Sequence, residues 1–312
     1  MEIATFTTRE TGWQWPCVGA LLTKECLLDF GRAFEGPERP SNHLDWLDLN
    51  GPWFQQSREK YTALISDSQL FIEAIEKGWL TKRSDAYWLA PAPRPGKLIC
   101  IGLNYRDHAA ESNMPIPERP VIFSKFATAV IGPGEPVVLP STSTQVDYEA
   151  ELAVVIGRRA KQVSASRALD YVLGYTCFND ISARDFQFAD GQWQRGKSCD
   201  TFAPMGPTIV TTDVVPDPHK LSIKLELNGQ TMQDSNTDQL IFGVPELIEF
   251  LSQNITLEPG DVIATGTPAG VGFARKPPLF LKAGDLMEVS IENVGWLNNP
   301  VVAAKEAVGR SA

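Results

Sequence analysis

The sequence predicts a mainly β fold with some α-helix. From residue 97 onward, apolar segments of strand length are separated by turns rich in Gly, Pro and Asp. Few segments have the apolar spacing of an amphipathic helix, and helices do not alternate with strands as they do in parallel α/β proteins. These observations favour a β-sandwich, a roll or a distorted barrel over a doubly wound sheet.

The N-terminal part of the chain is predicted to form a small α+β domain of its own. The segment 89–97 holds three prolines and one glycine, which is a composition typical of a linker. We therefore expect an accessory domain at 1–95 and a second domain at 96–312. The elements expected in the first domain are strands at 18–22 and 25–30 and a helix over 57–78 that breaks near Asp67.

The second domain is expected to consist of strands with two helices between them. Asn228 and Gly229 mark a hairpin turn, because they separate two segments in which apolar and polar residues alternate. Pro245 lies in the first turn of the clearest amphipathic segment, where proline is tolerated. Strands are expected at 97–105, 121–126, 132–140, 148–156, 172–180, 221–235, 257–266 and 281–290, and helices at 164–171 and 238–254.

The composition of the chain argues against several classes of protein. Its 312 residues carry a net charge of −10, and the absence of a Lys/Arg cluster argues against nucleic-acid binding. No apolar run approaches the roughly 18 residues that span a bilayer, and the start of the chain lacks the features of a signal peptide. Five scattered cysteines without a Cys-x-x-Cys pair indicate a reduced, cytoplasmic setting. With only three histidines, a histidine-rich zinc site is close to excluded.

Two glutamates in DYEAELAVVIG, residues 147–157, form the first candidate site. In an extended strand Glu149 and Glu151 project from the same face, where two carboxylates repel unless a cation or a proton intervenes. Asp180 ends another apolar segment and is a candidate third ligand. Carboxylate oxygens favour Mg²⁺, Mn²⁺ or Ca²⁺. The alternatives are a solvent-facing pair on an amphipathic strand and an aspartate that caps a turn.

His108 and Glu111 form a second candidate site. They are three residues apart and share a face if the segment is helical. A glutamate that accepts a hydrogen bond from one imidazole nitrogen leaves the other nitrogen free to take a proton. Prolines crowd the residues that follow, so 107–120 is predicted to be a lid over the site. The alternative is a surface histidine beside a glutamate.

Four further polar residues are candidates for contact with a substrate. Lys197 is placed to stabilise an enolate, although a lysine is ordinarily solvated. Lys125 lies among apolar residues and would grip a substrate carboxylate or, alternatively, form an ion pair. Arg184 would clamp a carboxylate or pair with Asp185, and Gln187 lies in the same polar stretch.

A glycine-rich segment, TGTPAGVG at 265–272, follows a predicted strand. Its backbone amides, together with the Thr267 hydroxyl, are suited to an anion-binding nest. The alternative is an ordinary turn. Neither G-x-G-x-x-G nor a P-loop occurs in the sequence, so nucleotide binding has no support from motifs.

Taken together and in this order, the motifs resemble those of the fumarylacetoacetate hydrolase superfamily over about residues 96–302. The chain is most similar to the branch of acylpyruvate hydrolases, 2-hydroxyhepta-2,4-diene-1,7-dioate isomerases and ureidoglycolate lyase-like proteins. Residues 1–95 correspond to the variable N-terminal domain of that branch. The motifs are LNYRDHAAE, FSKF, DYEAELAVVIG, NDISARDFQ, GQWQRGKSCDTFAPMGP, NGQTMQDSNTDQLIF, LEPGDVIATGTPAGVG and GDLMEVSIENVGWLNNPV.

The resemblance implies a mixed β-sandwich roll, a homodimer and a bound divalent metal, with Mg²⁺ expected and Mn²⁺ or Ca²⁺ as alternatives. Glu149, Glu151 and Asp180 would be the protein ligands. Some longer members have a further metal carboxylate upstream of the histidine that corresponds to His108. Asp107 is the acidic residue there, but its spacing differs, so we expect three protein carboxylates and water.

The same comparison implies roles for the other candidates. His108 and Glu111 would form a dyad on a lid that orders over the substrate. Lys197 would stabilise an enolate or an oxyanion. The substrate contacts would be Lys125, Arg184, Gln187 and Thr267.

The implied function is a metal-dependent hydrolase that cleaves a C–C bond of a 2,4-diketo acid of the acylpyruvate type through an enolate at the metal. The partner is then a small 2-oxo or 2,4-diketo acid, with neither nucleic acid nor membrane involved. An oxaloacetate-type decarboxylase and a 2-hydroxy-diene-dioate isomerase or tautomerase remain alternatives on the same site. A non-catalytic binding or scaffold protein of this fold is the alternative from another class.

Overall fold

The computed structural model describes residues 1–10, 16–34, 42–189 and 191–304. In these ranges no helix has the length and apolar character needed to cross a membrane. The strands are β1 (Glu2–Thr8), β2 (Cys17–Leu21), β3 (Cys26–Asp29), β4 (Leu80–Lys82), β5 (Ala86–Leu89), β6 (Leu98–Gly102), β7 (Val121–Ser124), β8 (Val130–Ile131), β9 (Val137–Leu139), β10 (Val146–Asp147), β11 (Ala150–Ile156), β12 (Val172–Asn179), β13 (Ser182–Ala183), β14 (Ala203–Thr211), β15 (Ser222–Leu227), β16 (Gln230–Asn236), β17 (Val262–Ala264), β18 (Leu286–Ile291) and β19 (Gly295–Ala303). The α-helices are α1 (Phe30–Ala33), α2 (Pro52–Ser66), α3 (Ser68–Glu76), α4 (Arg106–Glu111), α5 (Arg184–Ala189), α6 (Gln194–Lys197) and α7 (Val244–Ser252), and the 3-10 helices are His43–Trp46, Arg83–Asp85, Ala127–Ala129, Ala165–Tyr171, Thr237–Gln239 and Gly272–Ala274.

A 12-stranded sheet forms the centre of the described structure, in the order β4-β3-β2-β1-β14-β12-β11-β17-β6-β7, with β5 on β1 and β8 on β14. Every residue of β11 and β12 is buried. Their long apolar segments follow from this position, because a strand covered on both faces has no solvent-facing side on which to alternate polar residues.

A second sheet of five strands, in the order β16-β15-β18-β19-β9, packs against β11, β12 and β14. Alternate residues of β15 are buried, as expected for a strand with one face on the core. The hairpin predicted at Asn228 and Gly229 is present, and both residues have positive φ angles of 55° and 76°. The predicted fold class, mainly β with some α in a mixed β-sandwich, is confirmed.

The N-terminal elements continue the central sheet, because β1 pairs with β14 in the register Glu2↔Val210 and Ile3↔Ile209. The two expected strands and the helix break are confirmed: α2 ends at Ser66, and Asp67 caps α3 by accepting the N–H of Gln69 at 2.8 Å. The domain boundary at 95/96 stays a prediction, but the sheet passes across it.

The antiparallel pairing of β11 with β12 brings the acidic residues together. Ala150 of β11 pairs with Asn179 of β12. Glu149 and Asp180 therefore lie side by side, just beyond the paired ends of these two neighbouring strands. Glu149 precedes β11 instead of lying within a strand as expected. The reason is that its N–H donates to the side chain of Asn179 at 3.0 Å, while its carbonyl accepts the N–H of Asp180 at 2.9 Å.

Candidate metal centre and active site

The structure brings Glu149, Glu151 and Asp180 together as the sequence predicted. One carboxylate oxygen of each lies within 4.8 Å of the others, and all three residues are buried. Their exposed fractions are 6%, 1% and 0%, so the solvent-facing alternative does not hold. A buried group of three acidic oxygen donors at this spacing is suited to a hard divalent cation.

Three cationic side chains surround the carboxylates. Lys197 donates to Glu149 at 2.8 Å and to Asp180 at 2.7 Å. Burial lowers the pKa of Lys197, but the carboxylates of Asp180 and Glu149 outweigh it and raise the pKa above the ordinary value. Arg184 contacts Glu149 at 2.5 Å. Lys125, whose side chain is fully buried, donates to Asp180 at 2.5 Å and to the carbonyl of Ile181 at 2.9 Å.

Glu151 differs from its two neighbours, because no ion pair to it is formed by the residues that the structure describes. Its Oε2 atom accepts the backbone N–H of Gly266 at 2.9 Å. Burial, Asp180 and Glu149 raise the pKa of Glu151 well above its ordinary value. In contrast, the positive charges of Lys197 and Arg184 overcome burial and lower the pKa of Glu149 to about 2.

The carboxylate of Glu151, which lacks an ion pair among the described residues, shows whether a metal would suit the site. A buried carboxylate without a cation is unfavourable unless it takes up a proton. A divalent cation held by Glu149, Glu151 and Asp180 would supply the missing positive charge at the place where it is needed. The residues present therefore fit a Mg²⁺ ion or a similar hard cation. Asp107 contributes no ligand, since its carboxylate accepts from Ser235 and from the N–H of His108.

The predicted dyad is formed on α4. The Nδ1 atom of His108 lies 3.4 Å from Glu111 Oε2, which orients the imidazole with Nε2 free to accept a proton. Glu111 is fixed in turn, because both of its oxygens accept the N–H of Gly270 at 3.0 Å. Burial raises the pKa of Glu111, but the hydrogen bonds from His108 and Gly270 lower it overall. The dyad lies near the carboxylate cluster, because the N–H of Gly266 donates to Glu151 while the N–H of Gly270, four residues later, donates to Glu111.

The glycine-rich segment 265–272, here called the glycine loop, binds anions as predicted, but the anions are side chains of the protein itself. Its amides donate to Glu151 from Gly266, to Glu111 from Gly270 and to Asp147 from Gly272. One loop therefore contacts a candidate metal ligand and the glutamate of the dyad. The backbone geometry requires the glycines, since Gly266 and Gly270 have positive φ angles of 101° and 104° and a Cβ atom on Gly272 would lie 2.0 Å from the carbonyl oxygen of Leu279.

The remaining predicted contacts are near the site, but their polar atoms are occupied by the protein. Gln187 accepts from Arg184 Nη1 at 3.0 Å. The Thr267 hydroxyl donates to the carbonyl of Ala150 at 2.9 Å and accepts from Gln233 at 2.8 Å. Lys125 is held by Asp180, which matches the ion-pair alternative. Contact with a substrate stays a prediction for all four residues, Lys125, Arg184, Gln187 and Thr267.

Sequence reasoning missed two residues that support the site. Gln233 accepts the N–H of Ala150 at 2.9 Å and donates to Thr267, so it ties β16 to β11 and the glycine loop. Asp147 is fully buried and bonds Arg184 and Gly272. Asp147 opens the very motif that drew attention to Glu149. The signal available in the sequence was an aspartate two residues before Glu149, next to the candidate ligands.

Comparison with known proteins decides the family. The sequence model described as "Fumarylacetoacetate (FAA) hydrolase C-terminal" matches residues 97–302. This chain belongs to the fumarylacetoacetate hydrolase superfamily. It is 52% identical over 285 residues to a bovine protein named oxaloacetate tautomerase FAHD2A, mitochondrial, covering 86% of this chain and 90% of the relative.

Solved structures of the superfamily agree with this assignment. A fumarylacetoacetate hydrolase from Exiguobacterium antarcticum is 32% identical, with a TM-score of 0.78 and coverage of 97% of this chain and 99% of that one. A 5-carboxymethyl-2-hydroxymuconate delta-isomerase from Mycobacterium smegmatis is 35% identical, with a TM-score of 0.75 and coverage of 97% and 100%. The family resemblance seen in the motifs is confirmed, and enzymes are among the relatives in this superfamily.

Proposed function

We propose that this protein is a metal-dependent enzyme of 2-oxo acids, and that it interconverts the keto and enol forms of oxaloacetate or a closely similar dicarboxylic acid. The observation that carries the proposal is the buried carboxylate cluster beside Lys197 and the His108–Glu111 dyad, in which Glu151 has no cationic partner among the residues that the structure describes. The bovine oxaloacetate tautomerase, similar over most of both chains, supports this choice of reaction.

The proposed cofactor is Mg²⁺, with Mn²⁺ or Ca²⁺ as alternatives, held by Glu149, Glu151 and Asp180. Such an ion supplies Lewis acidity, which polarises the carboxylate and keto oxygens of a 2-oxo acid and makes the protons on the neighbouring carbon more acidic.

The residues of the chain would move the proton and stabilise charge. His108 takes a proton from C3 of the keto form at Nε2, because Glu111 accepts the hydrogen bond from Nδ1. The electron pair of the broken C–H bond forms the C2–C3 double bond, and negative charge develops on the keto oxygen. The ammonium group of Lys197 stabilises that charge. Return of the same proton to the oxygen completes the enol, so no atom is gained or lost.

C–C hydrolysis of an acylpyruvate is the second candidate function. The observation that favours it is the same dyad, since an imidazole oriented by Glu111 is suited to take a proton from water. Hydroxide attack at the distal C4 carbonyl would break the C3–C4 bond and release a carboxylic acid and the enolate of pyruvate. Decarboxylation of oxaloacetate leads to this enolate as well, so all three reactions need the same stabilising groups.

The test is a panel of three substrates, each assayed with Mg²⁺, with Mn²⁺ and after treatment with a chelator. Loss of the enol absorbance of freshly dissolved oxaloacetate reports tautomerisation, pyruvate formation reports decarboxylation, and loss of the diketone absorbance of an acylpyruvate reports hydrolysis. We expect tautomerisation to be the fastest reaction and to stop in the chelated protein. Faster acylpyruvate hydrolysis would favour the second candidate. A protein that binds metal but converts none of the three would favour a non-catalytic role.

Oligomeric state and location stay predictions. A homodimer is supported by β7, which among the described strands pairs on one side only and whose Val121 and Ile122 are 39% and 41% exposed, because an exposed apolar edge strand invites pairing. Sedimentation equilibrium would decide the oligomeric state.

A cytoplasmic location was expected from the cysteines, whereas the bovine relative is named as mitochondrial. Cell fractionation would distinguish the two.

A further inference from the structure

Asp147 is the most extensively bonded side chain near the site, although it is neither a candidate ligand nor a member of the dyad. It is fully buried and accepts five hydrogen bonds, from the N–H groups of Tyr148, Gly272 and Phe273 and from Nε and Nη2 of Arg184, at 2.8–3.0 Å. A buried carboxylate with this many donors is strongly fixed in position.

On one side Asp147 holds the guanidinium group that pairs with a candidate metal ligand. Nη2 of Arg184 bonds Asp147 at 2.8 Å and contacts Glu149 at 2.5 Å. Asp147 therefore orients Arg184 without taking part in the carboxylate cluster itself.

On the other side Asp147 holds the glycine loop. A Cβ atom on Gly272 would lie 2.6 Å from Asp147 Oδ1 and 2.0 Å from the carbonyl oxygen of Leu279, so the contact leaves room for glycine alone. Gly270, two residues earlier, donates its N–H to Glu111. Its carbonyl also accepts from Tyr148 and Arg275, each at 3.3 Å. The loop is thus fixed on both sides of the peptide groups that contact α4.

We propose that Asp147 is a positioning residue that holds the glycine loop so that the Gly270 amide can fix Glu111 and, through it, His108. The proposal rests on the proposed function for its kinetic consequences, but its structural consequence does not. The dyad then depends on a carboxylate that touches neither of its members nor the substrate.

The first test is the variant Asp147→Asn. Asparagine keeps the size of the side chain, but its NH₂ group must face either Arg184 or the loop amides, which are donors as well. We expect kcat to fall by about tenfold to a hundredfold, as for other residues that orient a catalytic group, with the affinity for Mg²⁺ measured by calorimetry retained.

The second test separates a positioning effect from a general structural one. If Asp147 acts through Glu111, the double variant Asp147→Asn/Glu111→Gln should be no slower than Glu111→Gln alone, because the interaction has already been lost. If the two residues act independently, the fold losses in kcat of the two single variants should multiply in the double variant. The matched control is Asp261→Asn, which also removes a buried aspartate that binds two backbone amides and a lysine. Its effect on kcat should be small and should multiply with that of Glu111→Gln.

The third test is independent of turnover. Amide hydrogen exchange, read by mass spectrometry, should be faster by about tenfold or more in Asp147→Asn over both the glycine loop and α4, since each loses hydrogen bonds. Asp261→Asn should leave both segments protected. If Asp147→Asn does not fold, Gly272→Ala disturbs the same contact from the loop side and should give the same exchange pattern.

The outcomes distinguish this inference from the proposed function. Unchanged exchange in the glycine loop and α4, or a loss in kcat that is fully retained in the Glu111→Gln background, would overturn the role of Asp147. A wild-type protein that converts no substrate would count against the proposed function, while faster exchange in Asp147→Asn would still support the positioning role.

Discussion

Two buried acidic sites lie at opposite ends of β17, and they differ in how their charge is balanced. Before the strand, Asp261 is 1% exposed, pairs with Lys97 Nζ at 2.7 Å and accepts the N–H groups of Lys97 and Glu258. After it, Gly266 donates to Glu151, which has no ion pair in the described part of the chain. The first site is paired within the protein, whereas in the second the described residues give Glu151 no cationic side chain of its own.

The difference between Asp261 and Glu151 separates buried charges that stabilise the fold from buried charges that are suited to bind a ligand. A carboxylate that is fully paired and hydrogen-bonded stabilises the structure when its neighbours are present. A carboxylate whose neighbours are other carboxylates destabilises the protein until a cation arrives. The variants that follow alter either the carboxylate cluster with its neighbouring dyad or the paired site of Asp261.

The largest effect is expected for Glu151→Gln. Loss of a ligand should abolish Mg²⁺ binding in calorimetry and reduce turnover by at least about a hundredfold. At pH 8 the metal-free variant should nevertheless be more stable than the wild type, by on the order of 1 kcal/mol in urea denaturation, because the cost of ionising Glu151 in its buried site is removed.

Glu149→Gln is the matched control for this change. It should also lose metal, but its metal-free form should be less stable than the wild type, since Lys197 and Arg184 lose a partner. Equal stability effects at the two positions would contradict the charge argument. Full metal occupancy in either variant would contradict the ligand set.

Changing His108 should separate catalysis from charge balance. In His108→Ala we expect turnover to fall by about 10²–10⁴-fold, the usual range for loss of a general base. Metal affinity should be unchanged, because the imidazole is not among the ligands. Steady-state kinetics and calorimetry on the same sample would check both, and undiminished turnover would remove His108 from the mechanism.

The paired site should behave in the opposite way to the cluster. Asp261→Asn should lower the free energy of unfolding by about 2 kcal/mol, because Lys97 and two amides lose a charged acceptor. Metal binding and kcat should stay at wild-type values. A large loss of activity in this variant would mean that the two ends of β17 are not independent.

The smallest effect is a dependence of metal-free stability on pH. The lowered pKa of Glu149 contributes stability above its ordinary value of 4.5, which is lost as the pH falls toward about 2. The raised pKa of Glu151 contributes stability that is complete below 4.5 and is lost as the pH rises through that raised value. Chelator-treated protein should therefore lose on the order of 1 kcal/mol between pH 5 and pH 8. The same titration of Glu151→Gln should lack this loss.

The sequence was sufficient to predict much of the site and of the fold. Glu149, Glu151 and Asp180 are close in space because their motifs lie at the ends of neighbouring strands, and apolar segments ending in acidic residues indicate this. The hairpin at Asn228 and Gly229 and the helix break near Asp67 were predictable as well, since turn and cap residues determine local backbone geometry.

Other features depend on contacts between distant residues and leave no local signal. Lys125 pairs with Asp180 because the end of β7 lies close to the end of β12. The spacing of apolar residues in the sequence does not predict this distance. Similarly, nothing near residue 2 indicates that it pairs with residue 210. Asp147 lies in the same motif as Glu149, but its hydrogen bond from Gly272 joins it to a loop more than a hundred residues later along the chain.

The pairing of β1 with β14 has a consequence for how the chain is made. During synthesis β1 leaves the ribosome long before its neighbour in the finished sheet, since their register joins Glu2 to Val210. The nearer strand β5 pairs with Thr5–Thr8, but the edge of β1 at Glu2 and Ile3 must wait for β14, and domains assembled from such distant pairs fold slowly. An open edge is also where chains associate wrongly. We expect cells to depend on chaperones during this interval, and a chain without its first strands to expose β14 instead.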